Sequence, residues 1–273
     1  MLASEIVGEG DRLVLVHGFT QTGASWRPVT PYLRRHYELV VADAPGHGGS
    51  ATLETDLVEG ARHLVETGGR ARYLGYSMGG RLCLRAALDH PEVVEQLVLV
   101  SATAGLQDAS ERDVRRKSDE ALACQLEDGG VDAFLQQWID NPLFDTLPDK
   151  AARVEERRTN TVAGLASSLR LAGAGAQEPV WSRLGELTMP VLLVTGELDA
   201  KFTELATRMR AAIGPNAEHV TIAGAGHALH LERPGVFAET VLGFLDGSLT
   251  RTAPPRTGRR STDAVSPWPE GTR

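Results

Sequence analysis

A chain of 273 residues with 42% hydrophobic and 23% charged residues has the composition of a globular protein of one or two domains, which excludes fibrous, collagen-like and wholly disordered readings. The formal charge is -8; five arginines after Asp246, against Asp263 and Glu270, give that segment +3, so the remainder stands near -11 and is not expected to bind nucleic acid. No apolar run approaches the roughly 18 residues of a membrane span, and Glu5, Glu9 and Asp11 stand where a signal peptide needs basic residues, so the expected compartment is the cytoplasm.

Short leucine- and valine-rich runs bounded by glycine or acidic turn residues alternate with segments of helical period, the pattern of a parallel α/β sheet. In chain order the expected strands are Leu13 to Val16, Leu39 to Ala42, Tyr73 to Gly75, Leu97 to Ser101, Val191 to Thr195 and His219 to Ile222. Helices are expected near Pro31 to Arg35, Leu53 to Glu66, Gly79 to Leu88, Thr203 to Ile213 and Pro234 to Leu245. Residues 106–188 interrupt the rhythm with helical patterning alone, as a cap over a site does, leaving 1–105 and 189–246 as the core. The cap is arginine-rich, and Glu111, Asp119, Glu155 and Glu156 are available to pair its solvated faces. Residues 247–273, rich in proline, arginine and serine, read as a disordered tail. Cys83 and Cys124 form neither a disulfide framework nor a metal pattern and are expected as buried small hydrophobes.

The sequence Gly75-Tyr76-Ser77-Met78-Gly79 ends an expected strand and opens an expected helix. A strand-to-helix turn this sharp needs glycines on both flanks, and it thrusts the serine hydroxyl outward. A serine needs a base, and the base needs an acid to fix its tautomer. His227 follows the strand HVTI and Asp199 follows VLLVT, so both come at the C-terminal ends of parallel strands, where ligands sit in open α/β sheets. Glu197, two residues nearer the strand than Asp199, should point elsewhere. Backbone N–H groups of Phe19, after the strand ending at Val16, and of Met78 would form the oxyanion hole, with His17 bracing the loop. His230 lies three residues after His227 but lacks the carboxylate partners of a metal site, and His47 reads as a loop residue.

The order Ser, Asp, His and the elbow resemble the α/β-hydrolase superfamily over residues 12–245. Within it, GYSMGGR, AGLQDASERDVRRKSD, QQWIDNPLF, ERRTNTVAGLASSLR and GELDAKF resemble the 2-succinyl-6-hydroxy-2,4-cyclohexadiene-1-carboxylate synthases of menaquinone biosynthesis. The resemblance implies an α/β-hydrolase fold with a helical cap and a lyase that eliminates pyruvate from a small polycarboxylate by proton abstraction, without metal or organic cofactor. It implies Ser77, His227 and Asp199 as the base system, Arg81, Arg115 and Arg158 as carboxylate clamps, and Tyr76, Gln107, Trp138 and Lys201 as pocket residues. Arginine forks suit carboxylates, and Arg81 stands one helical turn above the elbow. Lys201 is one of three lysines in the chain, with Lys117 and Lys150. Two other readings remain open: a carboxylesterase, lactonase or perhydrolase using Ser77 as a covalent nucleophile, and a non-catalytic ligand receptor, against which the complete Ser, Asp and His set speaks.

Overall fold

A computed structural model of the chain describes residues 1–148 and 152–249, so Lys150 and the tail from residue 250 lie outside the described residues. The first half of the core is built from β1 (Ser4–Val7), β2 (Asp11–Val16), α1 (Thr30–Leu33), β3 (Tyr37–Ala42), α2 (Leu57–Gly68), β4 (Ala71–Tyr76), α3 (Met78–Asp89) and β5 (Val94–Val100). Three helices follow, α4 (Ala109–Ile139), α5 (Val154–Arg157) and α6 (Val162–Ala172), and the core resumes with β6 (Val191–Gly196), α7 (Ala200–Ile213), β7 (Ala217–Ile222), α8 (Leu229–Glu232) and α9 (Pro234–Leu245).

The strands form one seven-stranded sheet in the order β1-β3-β2-β4-β5-β6-β7, parallel except for β1, which pairs antiparallel with β3 at one edge. The apolar runs of β2, β4, β5 and β6 are buried on both faces, which is why they read as continuous hydrophobic stretches rather than alternating ones. One face carries α2, α3 and α7 with Leu64, Leu84 and Met209; the other carries α1 and α9 with Leu33, Phe237 and Val241. The pairs Val16 with Gly75, Tyr76 with Val100 and Gly196 with Ile222 bring the C-terminal ends of the strands to one edge. The loops beginning at His17, Ser77, Ser101, Glu197 and Ala223 therefore open on that edge.

Above it, α4 and α6 enclose a separate small core of Ala123, Leu126, Phe134, Leu165 and Leu169. The long α4 is broken at Gly130, whose φ of 78° no helix accommodates. Two expectations need correction here. Cys124 is exposed, because it sits on the outer side of α4 beside Glu120 rather than toward the cap's core. The tail does not begin at residue 247: Leu249 folds back to donate its N–H to Gly243 O at 2.6 Å and to pack on the α9 side of the core.

Candidate active site

The elbow is a matter of space. Ser77 has φ 51°, in the left-handed region, between the end of β4 and the start of α3. A Cβ on Gly75 would lie 2.3 Å from Gly79 O, and one on Gly79 would lie 2.3 Å from Val16 O and 2.5 Å from His17 O. Only glycine lets the strand, the helix and the β2 loop meet this closely. Ser77 Oγ lies 3.2 Å from His227 Nε2, and His227 Nδ1 lies 2.7 Å from Asp199 Oδ2. His227 thus donates from Nδ1 to the carboxylate and accepts the serine proton at Nε2. Asp199 also caps α7, its Oδ1 accepting from Phe202 N. Glu197 turns away and accepts from Gly224 N.

The histidine loop is held from below. Glu232 Oε2 accepts from Gly226 N at 2.7 Å and its Oε1 from Ala228 N at 3.0 Å, so one carboxylate fixes the backbone on both sides of His227. The sequence carried no signal for this beyond an acidic residue one turn past the histidine. His17 braces its loop: Nε2 accepts from Ala44 N and Nδ1 donates to Gly18 O. Burial lowers its pKa to about 4, so it is neutral.

An open cavity lies between the sheet edge and the cap, and both Ser77 and His227 line it. Phe19 and Met78 line it too, and Met78, as the first residue of α3, has an N–H that the helix leaves unused. Tyr76, Arg81, Arg115 and Trp138 are brought to the same cavity. Arg81, 9% exposed, donates to Ala172 O and Gln177 Oε1, and burial together with nearby Arg115 lowers its pKa to about 10, still protonated at neutral pH. Arg115 is more open and is tied to the buried Asp119 at 2.7 Å.

Three expected pocket residues are not brought there. Arg158 is 41% exposed and its guanidinium pairs with Asp132 and Glu155 on the outside of the cap. Its neighbour Arg157 takes the inward place instead: 2% exposed, it lines the cavity and donates to Ala152 O and Thr20 Oγ1. Burial lowers the Arg157 pKa to about 10 as well. The single turn of α5 faces the core with Arg157, so the next residue must face solvent. Gln107 is exposed and accepts from Arg208 Nη2 at 2.8 Å, away from Ser77. Lys201 lies outward over the rim of Phe202, and it is Phe202 that enters the cavity, 4.5 Å from the His227 ring. Gln21, Thr103, Phe144 and Ser168 also line the cavity, and no spacing rule singled them out.

Among the described residues that line the cavity there is no Asp or Glu, and no carboxylate lies within ion-pair distance of Arg81 or Arg157. The cavity is therefore a cationic chamber with an activated serine in its floor, suited to an anion of several carboxylates. No helix among the described residues is long and apolar enough to cross a membrane.

Residues 13–240 match the model of the alpha/beta hydrolase family. The 2-succinyl-6-hydroxy-2,4-cyclohexadiene-1-carboxylate synthase of Escherichia coli O1:K1 is 33% identical over 235 residues, 83% of this chain and 90% of that one. The enzyme of the same name from Pectobacterium atrosepticum is 31% identical over 243 residues, 85% of this chain and 93% of that one. Of solved structures, MenH from S. aureus matches with a TM-score of 0.85 and 28% identity, covering 92% of this chain and all of that one. The chain belongs to the alpha/beta hydrolase family and, within it, to the group of 2-succinyl-6-hydroxy-2,4-cyclohexadiene-1-carboxylate synthases.

Proposed function

We propose that this chain eliminates pyruvate from 2-succinyl-5-enolpyruvyl-6-hydroxy-3-cyclohexene-1-carboxylate, giving 2-succinyl-6-hydroxy-2,4-cyclohexadiene-1-carboxylate. The observation that carries this reading is the lining of one cavity by Ser77, His227 and three guanidinium groups, with no Asp or Glu among the described lining residues. Two of those cations are buried without an ionic partner, which is costly until a ligand supplies the anion. The substrate carries three carboxylates, on its succinyl, ring and enolpyruvyl parts. Arg81, Arg115 and Arg157 would clamp them, with Tyr76 and Trp138 walling the chamber.

The chemistry follows from what differs between substrate and product. The ring C2–H stands next to the succinyl ketone, so its removal throws charge onto the ketone oxygen. Ser77, relayed to His227 and steadied by Asp199, takes that proton, and the N–H groups of Phe19 and Met78 hold the developing oxyanion. The C2–H electron pair forms C2=C3, the ring double bond moves to C4=C5, and the C5–O bond breaks. The leaving enolate of pyruvate takes up one proton and ketonises, which balances the proton lost at C2. No acyl-enzyme is needed. The test is pyruvate release from the trianionic substrate, with intact-protein mass spectrometry during turnover. Pyruvate without a Ser77 adduct is expected; absence of pyruvate, or an acyl adduct on Ser77, overturns the reading.

A further inference from the structure

The turn that carries Phe19 runs from Gly18 to Gln21 and is closed by Gln21 N donating to Gly18 O at 3.1 Å. Its third residue, Thr20, has φ 65°, a conformation at which glycine or asparagine is the usual choice and a β-branched side chain is an outlier. Such a conformation persists only where its surroundings over-determine it. Thr20 is fully buried and gripped at three points. Its N–H donates to His47 Nε2 at 3.3 Å, its C=O accepts from Asn160 Nδ2 at 2.8 Å, and its Oγ1 accepts from Arg157. Two of the three grips come from the cap, not from the core that contains the turn.

Asn160 has every arm engaged. Its Nδ2 also donates to Arg157 O at 2.9 Å, and its Oδ1 accepts from Gly48 N at 2.9 Å, a set that fixes which end of the amide is which. It is 5% exposed. We propose that Asn160 is a positioning residue: from the cap it locks Thr20 in its strained conformation and so aims the Phe19 N–H at the reacting oxygen. The oxyanion donor is then assembled only when the α5 segment is docked, and the same segment delivers Arg157 to the substrate. Binding of an anion at Arg157 and completion of the oxyanion hole become one event.

This rests on the reading of Phe19 N–H as an oxyanion donor, and its test does not use the native substrate. A neutral alkyl fluorophosphonate phosphonylates Ser77: the Oγ–P bond forms, fluoride leaves, His227 takes the proton, and the phosphoryl oxygen occupies the oxyanion hole. Asn160→Asp keeps the size and the acceptor for Gly48 N but removes the donor to Thr20. The second-order rate of phosphonylation should fall by roughly tenfold to a hundredfold, the scale of a displaced oxyanion donor. Adding Thr20→Gly should bring the rate back to within about threefold of Thr20→Gly alone, because glycine holds a positive φ without the grip. Asn160→Ala, checked for folding by its melting curve, serves if the aspartate variant does not fold. Unchanged rates in the folded Asn160 variant overturn the proposal, as does a loss that Thr20→Gly does not recover. Variants that follow this pattern, with a wild type that releases no pyruvate, would sink the lyase reading alone.

Discussion

At the scale of single residues, a cation earns a functional reading by what it lacks. Arg158 has two carboxylates on its guanidinium and stands on the outside of the cap, so removing it should cost no more than losing a solvent-screened surface ion pair does. Arg157 is buried with only neutral oxygens for company. If it holds a substrate carboxylate, Arg157→Ala strands that group, a loss of about 2 to 5 kcal/mol, or roughly thirtyfold or more in kcat/KM. Steady-state pyruvate release should therefore separate the neighbours, with Arg158→Ala within about twofold of wild type; equal effects would remove Arg157 from the clamp. A second expectation concerns the triad. Ser77→Ala, His227→Ala and the double variant should lose activity to nearly the same extent, because groups acting as a unit are not additive; multiplicative losses would break the assignment. The sequence pointed to the triad residues because strand ends and glycines mark them. The resemblance points to Arg158 as a clamp whereas Arg157 is the one in the cavity lining, because adjacent arginines share composition and differ only in the direction in which one short helical turn sends them. Lys201 misled for the same reason, since Phe202 next to it takes the inward direction.

At the scale of elements, the legible parts were those with long buried runs or explicit punctuation. Pro234 at the start of α9 is a helix-opening residue, and that helix was readable end to end. By contrast α2 begins only at Leu57, not at Leu53 as the apolar pattern suggests, because the Asp56 side chain caps it by accepting from Val58 N and Glu59 N. The edge strand β1, exposed along most of its length, has no apolar pattern to reveal it. The elbow is the element with least tolerance. A methyl on Gly79 would press on the backbone oxygens of Val16 and His17, which cannot swing aside as a side chain would. Gly79→Ala should destabilise the protein by about 1 to 3 kcal/mol and push the Phe19 loop off its position. A melting temperature and a phosphonylation rate both close to wild type would show that the elbow has slack. The loop of His227 depends on Glu232 in a related way. Glu232→Ala frees the Gly226 and Ala228 N–H groups, and kcat should fall more than KM rises, since substrate clamps are untouched. A change confined to KM would count against that role.

At the scale of the whole molecule, the fold buries imidazoles that an unfolded chain would leave in water, and this gives its stability a pH dependence separate from catalysis. Burial lowers the pKa of His17 to about 4 and of His47 to about 3, the latter with help from His17 beside it, and holds His230 well below the ordinary value. Each therefore stays neutral in the native state through a range in which the unfolded chain, near 6.5, takes up a proton. Where the unfolded state binds more protons, stability rises with pH, so these three histidines leave stability intact above about pH 7 and erode it as the pH falls toward 4. From pH 7 to pH 5, above the ordinary carboxylate range, the three buried rings should therefore lower both the stability and the melting temperature. His230 allows an internal control. Its ring lies 4.4 Å from that of Tyr76 and 4.7 Å from that of Trp26, and neither ring nitrogen has a hydrogen-bond partner among the described residues. His230→Leu therefore removes a titrating group without breaking a bond, and should make the slope of stability against pH between 7 and 5 shallower. Calorimetric melting of both proteins at pH 7, 6 and 5 measures this. A melting temperature independent of pH in the wild type, or an unchanged slope in the variant, would mean that these rings do not stay neutral in the fold.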